Sequence, residues 1–169
     1  TKGFTQNCNA GDDGCTNAYQ QDRVDVLKSY ADYSWSLDPD HYVIFEHLGG
    51  SNEEQQWANY RLSEGKGIML WGKTNTPYYQ LIMGYGSDSN FSSIGHESRG
   101  FQGKRLLGYF ESHDEERVMY KALQFGNDWD GYNIQELNTA LSRMSAIGAI
   151  SLTIPGPKMI WHFSDLGME

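Results

Sequence analysis

An imidazole and a carboxylate stand next to each other at His113 and Asp114, inside a run of ionisable residues at 111–117 with the sequence ESHDEER. Imidazole exchanges a proton near neutral pH, and a carboxylate can act as an acid or a base or can stabilise a developing positive charge. Apolar residues at 106–110, LLGYF, come directly before this run. A buried strand that stops at ionisable residues is typical of a site at the carboxyl end of a parallel sheet.

On its own, a Ser-His-Asp tripeptide more often has a structural role, in which Asp114 caps a helix and His113 packs in a loop. Asp114, Glu115 and Glu116 favour the first turn of a helix, because carboxylates stabilise the positive end of the helix dipole. We therefore expect a strand, a polar corner and a helix in succession.

A second carboxylate, Glu46, follows the β-rich run HYVIF at 41–45 and precedes Gly49 and Gly50, which would leave room for a ligand. A single glutamate at a strand end is more commonly a partner in a salt bridge. Two carboxylates that each follow a predicted strand favour the functional interpretation instead.

Four predicted strands alternate with helical patterns along the chain, at 41–45, 67–71, 106–110 and 159–162. Such alternation predicts an α/β fold in which parallel strands are joined by right-handed crossovers. We expect the four strands to form one parallel sheet in that spatial order, with Glu46 and Asp114 at the same end.

The formal net charge of −9 argues against nucleic acid and an anionic membrane surface as partners. No apolar run approaches the ~18 residues of a transmembrane helix, so no membrane span is predicted. Cys8 and Cys15, the only cysteines, are compatible with a disulfide in an oxidising compartment or with two free thiols. Four residues near the cysteines carry oxygen ligands that could bind Ca²⁺: Asn7, Asn9, Asp12 and Asp13. The spacing lacks the bidentate glutamate of an EF-hand loop, so a solvated loop without a cofactor is favoured.

Four stretches of the chain resemble, in order, signature regions of the α-amylase family of glycoside hydrolases (family 13). FESHD at 110–114 is similar to the fourth region, usually F-x-N-H-D, with Ser112 where Asn is commoner. FEHLGG at 45–50 resembles the third region, and TKGF at 1–4 resembles the tail of the second. IPGPKMIWHFSDLG at 154–167 is similar to the closing barrel strand of secreted bacterial members.

The resemblance implies that residues 1–169 are the C-terminal half of a (β/α)₈ catalytic barrel, a partial TIM barrel of about four parallel strands. It implies that Glu46 is the general acid/base, that Asp114 stabilises the transition state, and that His113 binds the sugar. Lys2 matches the lysine on the aglycone side. Trp71, at the end of a predicted strand, is expected to line the same cleft, although an aromatic residue there can equally pack in the core.

The family cleaves α-1,4-glucosidic bonds with retention, which requires a carboxylate nucleophile in addition to an acid. In this alignment the nucleophilic Asp falls upstream of Thr1, so the chain alone is expected to be inactive towards starch and maltooligosaccharides. The alternative is a non-catalytic carbohydrate-binding or assembly module. Uncovered strands at both edges would call for a homodimer or an N-terminal half-barrel as partner. The expected location is secreted, at the cell surface or periplasmic.

Overall fold

The computed structural model describes residues 7–9 and 11–169. This part of the chain contains six helices and five strands. In chain order they are α1 (Asp13–Asn17), α2 (Gln21–Leu37), β1 (Ile44–Phe45), α3 (Ser51–Ala58), β2 (Met69–Lys73), α4 (Asn75–Met83), β3 (Leu106–Tyr109), α5 (Val118–Phe125), β4 (Asp128–Trp129), β5 (Tyr132–Asn133) and α6 (Leu137–Thr153). Short 3₁₀ turns lie at Leu62–Glu64, Glu97–Arg99 and Ser164–Leu166.

Strands β1, β2 and β3 form a sheet in that order. β1 and β2 are parallel, with Ile44 opposite Met69 and Phe45 opposite Leu70. The Leu70 N–H donates to the carbonyl of Arg105 at 2.9 Å, next to the start of β3. The α/β class and the order of these three strands are therefore confirmed.

The fourth predicted strand, at 159–162, is wrong. Only one parallel bridge forms there among the described residues, between Gly108 and Lys158, with hydrogen bonds of 3.0 Å from Gly108 N to the Pro157 carbonyl and from Met159 N to the Gly108 carbonyl. Pro157 has no N–H to donate to a ladder, and Phe163 takes a left-handed conformation with φ 63°. Pairing therefore ends after a single bridge, and the described part of the sheet has three strands where about four were expected.

The chain divides into two compact units, and each combines two stretches of sequence. The first unit runs to Trp71 and adds His96–Leu107. In it, α2 and α3 bury apolar side chains together with β2 and the start of β3. Its core consists of Val24, Leu27, Ala31, Trp35, Trp57, Ala58, Ile68, Leu70, Phe101 and Leu106.

The second unit consists of Gly72–Gly95 and Gly108–Glu169. Helices α4, α5 and α6 pack on one another around a separate core. Its buried apolar residues are Tyr78, Ile82, Met83, Ile94, Phe110, Val118, Met119, Ala122, Ile134, Ala140 and Ile147.

A β-hairpin that the sequence analysis missed joins α5 to α6. β4 and β5 are antiparallel, with Asp128 opposite Asn133 and Trp129 opposite Tyr132. The two turn residues, Asp130 and Gly131, both have positive φ, at 51° and 81°. Asp-Gly is a preferred pair for a two-residue hairpin turn, so the signal was present in the sequence.

Cys8 and Cys15 form a disulfide, with their Cα atoms 5.6 Å apart. This resolves the choice between a disulfide and two free thiols. Within residues 7–9 and 11–169, no helix has both the length and the apolar character that crossing a bilayer requires.

Candidate functional site

Strand β3 ends at Tyr109 and leads into a polar corner that belongs entirely to the second unit. Its first ionisable residue, Glu111, is only 1% exposed. Burial of a carboxylate is costly unless it is paired with hydrogen-bond donors. The contacts of Glu111 therefore decide how the corner is built.

Three groups donate to the carboxylate of Glu111. The Val118 N–H donates to Oε2 at 2.6 Å, and the Arg117 guanidinium donates to Oε1 at 3.0 Å. The Ser164 hydroxyl also donates to Oε1. Arg117 in turn donates to the carbonyl of His162 at 2.8 Å. One buried side chain thus ties the end of β3 to the start of α5 and to the segment at 162–164.

The predicted helix start at Asp114 is corrected by these contacts. Helix α5 begins at Val118, and its N-cap position is Arg117, which makes no side-chain capping bond. The carboxylate that satisfies the first N–H of the helix is that of Glu111. The capping role that a structural interpretation assigns to Asp114 therefore belongs to another residue.

His113 and Asp114 project to solvent from this corner. Their side chains are 45% and 61% exposed, and His113 Nε2 lies 3.4 Å from Asp114 Oδ1. The Trp161 ring lies beside the imidazole, with ring centroids 5.8 Å apart. An aromatic ring, an imidazole and a carboxylate are thus available to one ligand, and these groups suit a polyhydroxylated ring.

The remaining polar residues of the corner bond within the same unit. The Ser112 hydroxyl donates to the carboxylate of Glu115, and Lys73 Nζ lies 3.4 Å from Glu115 Oε1. The Tyr79 hydroxyl donates to the carbonyl of Glu116. Ser112 and Glu115 therefore stabilise the loop and do not project with His113.

Glu46 directly follows β1 in the first unit and is partly exposed. The next residue, His47, is buried, and its Nε2 lies 2.9 Å from Glu53 Oε2. A Cβ added at Gly49 would lie 2.4 Å from His47 Nε2. The room left by this glycine is thus filled by a side chain of the same loop, whereas the sequence suggested room for a ligand.

A buried ion pair holds the helix that follows Glu46. Glu53 and Arg23 are both about fully buried, and Arg23 Nη2 donates to both carboxylate oxygens at 2.8 Å. The Gln20 N–H donates to Glu53 Oε1 at 2.8 Å. This pair joins α2 to α3 inside the unit, and the contact of His47 with Glu53 ties the loop that carries Glu46 to it.

Glu54, the next residue, is buried as well. Burial raises the pKa of its carboxyl, and Arg99, whose Nη1 lies 3.4 Å from Glu54 Oε2, opposes that shift. The N–H of Gly49 also hydrogen-bonds to this carboxyl and lowers the pKa. Glu54 thus binds the loop between β1 and α3 from inside the unit, where it stabilises the loop and does not face a ligand.

The other predicted site residues lie in different parts of the chain. Trp71 is half-buried within β2, so it lies in the strand and not beyond its end. Lys2 lies outside the described residues. Asp12, one of the calcium candidates, caps α1 by accepting from the Cys15 N–H at 2.9 Å.

Two residues of the site were missed from sequence. Glu111 was counted only as part of an acidic run, and Trp161 was placed in a strand. The Glu111 contacts reach Ser164, 53 residues away, which no local pattern indicates. For Trp161, the local signal is a run of ring-bearing residues at 161–163 that follows Pro157 by four residues.

A comparison with protein-family models finds no match to this chain, and a comparison with curated proteins finds none either.

Proposed function

We propose that the chain is a piece of an α-amylase-like retaining glycoside hydrolase that binds α-1,4-glucans such as starch and maltooligosaccharides. The observation that carries the proposal is the exposed pair of His113 and Asp114 beside Trp161, on a loop that buried Glu111 holds in place. A fixed loop supports function because a preorganised group costs little to order when the ligand binds.

In this proposal each residue has the role that the sequence resemblance implies. Asp114 hydrogen-bonds to the sugar and stabilises an oxocarbenium-like transition state, so it contributes more to rate than to affinity. His113 binds the sugar hydroxyls. Glu46 is the general acid/base, Lys2 contacts the aglycone side, and Trp71 is the least supported contact because it lies within β2.

The fold that goes with this function is the C-terminal half of a (β/α)₈ barrel, secreted or held at the cell surface or in the periplasm. The parallel strands with intervening helices and the Cys8–Cys15 disulfide support this assignment. The sequence resemblance implies that the nucleophilic Asp is not among residues 1–169, so we propose that the chain alone does not hydrolyse starch. The chemistry of the two carboxylates needs no metal or cofactor.

The proposal includes a protein partner, either a second copy of the chain or an N-terminal half-barrel. In the second unit α6 leaves Leu152 exposed, and Ile160 beyond it is half-exposed. Exposed apolar residues of this kind favour association with a second copy or with an N-terminal half-barrel. Sedimentation equilibrium decides between assembly and a monomer, because a folded species near 19.2 kDa at high micromolar concentration excludes the homodimer.

The test of the function is a calorimetric titration of the chain with maltoheptaose. We expect binding that His113→Ala weakens and that the control Glu116→Gln leaves unchanged, since Glu116 offers an exposed carboxylate three residues away. Equal affinities of the parent and His113→Ala would refute the proposal. Release of reducing sugar that Glu46→Gln abolishes would refute the inactivity of the chain.

A further inference from the structure

An open groove of about 530 Å³ lies on the second unit, between α4, the loop that follows it and α5. His113 and Asp114 do not line this groove, although one of its residues, Tyr79, donates to the carbonyl of Glu116 in the loop that carries them. Eight residues line it: Thr76, Tyr79, Gln80, Met83, Tyr85, Ser87, Lys121 and Phe125. Among these eight described residues only Lys121 carries a formal charge, and it is positive, although the whole chain has a net charge of −9.

Aromatic rings form the walls of this groove. Tyr85 is 41% exposed and Phe125 is 50% exposed. Phe125 is held by an edge contact with Tyr120, at a centroid distance of 6.2 Å. Two large rings that face solvent offer stacking surfaces at a small entropic cost, because an aromatic side chain has few rotatable bonds.

Lys121 lies between two of the rings. Its Nζ is 5.4 Å from the centroid of Tyr79 and 5.3 Å from that of Phe125. Cation–π attraction to both rings restricts the ammonium group to the groove. An oriented donor with three hydrogens is thus present beside the stacking surfaces.

Neutral polar groups complete the lining. The Ser87 hydroxyl donates to Gln80 Oε1 at 3.2 Å, which leaves the Gln80 amide hydrogens as donors. Burial raises the pKa of Tyr79 to about 12, and its hydroxyl donates to the carbonyl of Glu116. The groove combines aromatic faces with amide and ammonium donors, and none of the described residues that line it bears a carboxylate.

We propose that this groove is a second, non-catalytic saccharide site that binds an α-1,4-glucooligosaccharide. The C–H face of a sugar stacks on Phe125 and Tyr85, while its hydroxyls accept from Gln80 and Lys121. A purely apolar ligand would leave these donors without partners, which is unfavourable. The saccharide class follows from the groove alone, and the choice of an α-1,4-glucan within it rests on the proposed function.

The experiment is an NMR titration of the ¹⁵N-labelled chain with maltoheptaose, followed at the amides of residues 79–87 and 121–125. We expect saturable shifts there, and a roughly tenfold weaker affinity for Phe125→Ala and for Tyr85→Ala, which corresponds to the loss of one ring stack. Tyr33→Ala is the matched control, because Tyr33 is an exposed tyrosine on α2 outside the groove. The control should bind as the parent does.

The outcomes separate this site from the one at His113. Amide chemical-shift changes in the groove that persist in His113→Ala and weaken in Phe125→Ala support a saccharide site in the groove, independently of any binding at His113. Maltoheptaose binding that depends on His113 but not on Phe125 or Tyr85 would contradict the proposed saccharide site in the groove and leave the proposed function intact. The complete absence of maltoheptaose binding overturns both.

Discussion

The N–H of Val118 donates to Glu111 Oε2 at 2.6 Å, so helix α5 begins on a carboxylate seven residues earlier in the chain. This bond spans the loop that carries His113 and Asp114. A charged acceptor at the first N–H of a helix also stabilises the helix dipole. The exposed pair is therefore held between the two partners of a buried hydrogen bond.

Glu111→Gln should destabilise the fold by about 2 kcal/mol, because the substitution removes the charge that strengthens three hydrogen bonds in a buried setting. Urea unfolding followed by tryptophan fluorescence measures the change. Glu116→Gln is the control, since its side chain is exposed and should have little effect. Equal stabilities of Glu111→Gln and the parent would contradict the role given to this carboxylate.

Arg23→Met should lower the free energy of unfolding by about 3 to 5 kcal/mol, because it leaves the buried carboxylate of Glu53 without its charged partner. Arg61→Met is a matched control. Arg61 pairs with Asp32 and Glu64 at 2.7 Å, but its side chain is one-third exposed, so its loss should not be measurable. Comparable losses for the two variants would show that burial does not set the strength of the Arg23 pair.

Stability should depend on pH through Glu54. Burial raises the pKa of this carboxyl above its ordinary value of 4.5, so the folded chain binds its proton more tightly than the unfolded chain does. This contribution favours folding below pH 4.5 and is lost as pH rises through the folded pKa. Glu54→Gln should therefore gain stability relative to the parent between about pH 4 and pH 7, as measured by urea unfolding at both values. A difference in unfolding free energy between Glu54→Gln and the parent that stays constant across this pH range would contradict the raised pKa of Glu54.

Two glycine-to-alanine substitutions should have opposite effects. Gly148 lies inside α6 with open space for 4 Å around the position that an alanine Cβ would take, so Gly148→Ala should stabilise the fold by about 1 kcal/mol. Gly131 has similar space but a φ of +81°, so Gly131→Ala should cost about 1 kcal/mol through backbone strain alone. Differential scanning calorimetry of both variants gives the sign of each change in stability. Two changes of the same sign would contradict the conformational argument.

Sequence patterns predicted the elements whose apolar residues are local and dense. The runs at 67–71 and 106–110 correspond to β2 and β3, because their side chains, such as Ile68, Leu70 and Leu106, are buried in a core. The run at 159–162 is equally apolar, yet Ile160 is half-exposed, and the single bridge described in this segment is formed by Lys158, just before the run. Apolar content alone does not reveal whether a strand finds a partner for its backbone.

The sequence pointed to only part of the candidate site, because local features are visible in a sequence and tertiary contacts are not. His113 and Asp114 were singled out because their residue types and their place after β3 are local features. The group that fixes them was missed, since Glu111 meets Ser164 only through tertiary structure. A helix start that depends on a carboxylate seven residues earlier also lies outside every local capping rule.

The order of synthesis constrains how this chain folds. The first unit needs His96–Leu107, which supplies Phe101 and Leu106 to its core, and the ribosome makes this stretch only after Gly72–Gly95 of the second unit. The stretch of the first unit that ends at Trp71 is therefore synthesised before its core is complete, and about 36 more residues must follow, which takes a few seconds at typical translation rates. During that interval the core that contains Trp35 and Trp57 lacks Phe101 and Leu106, so we expect the growing chain to expose apolar surface that the finished unit buries.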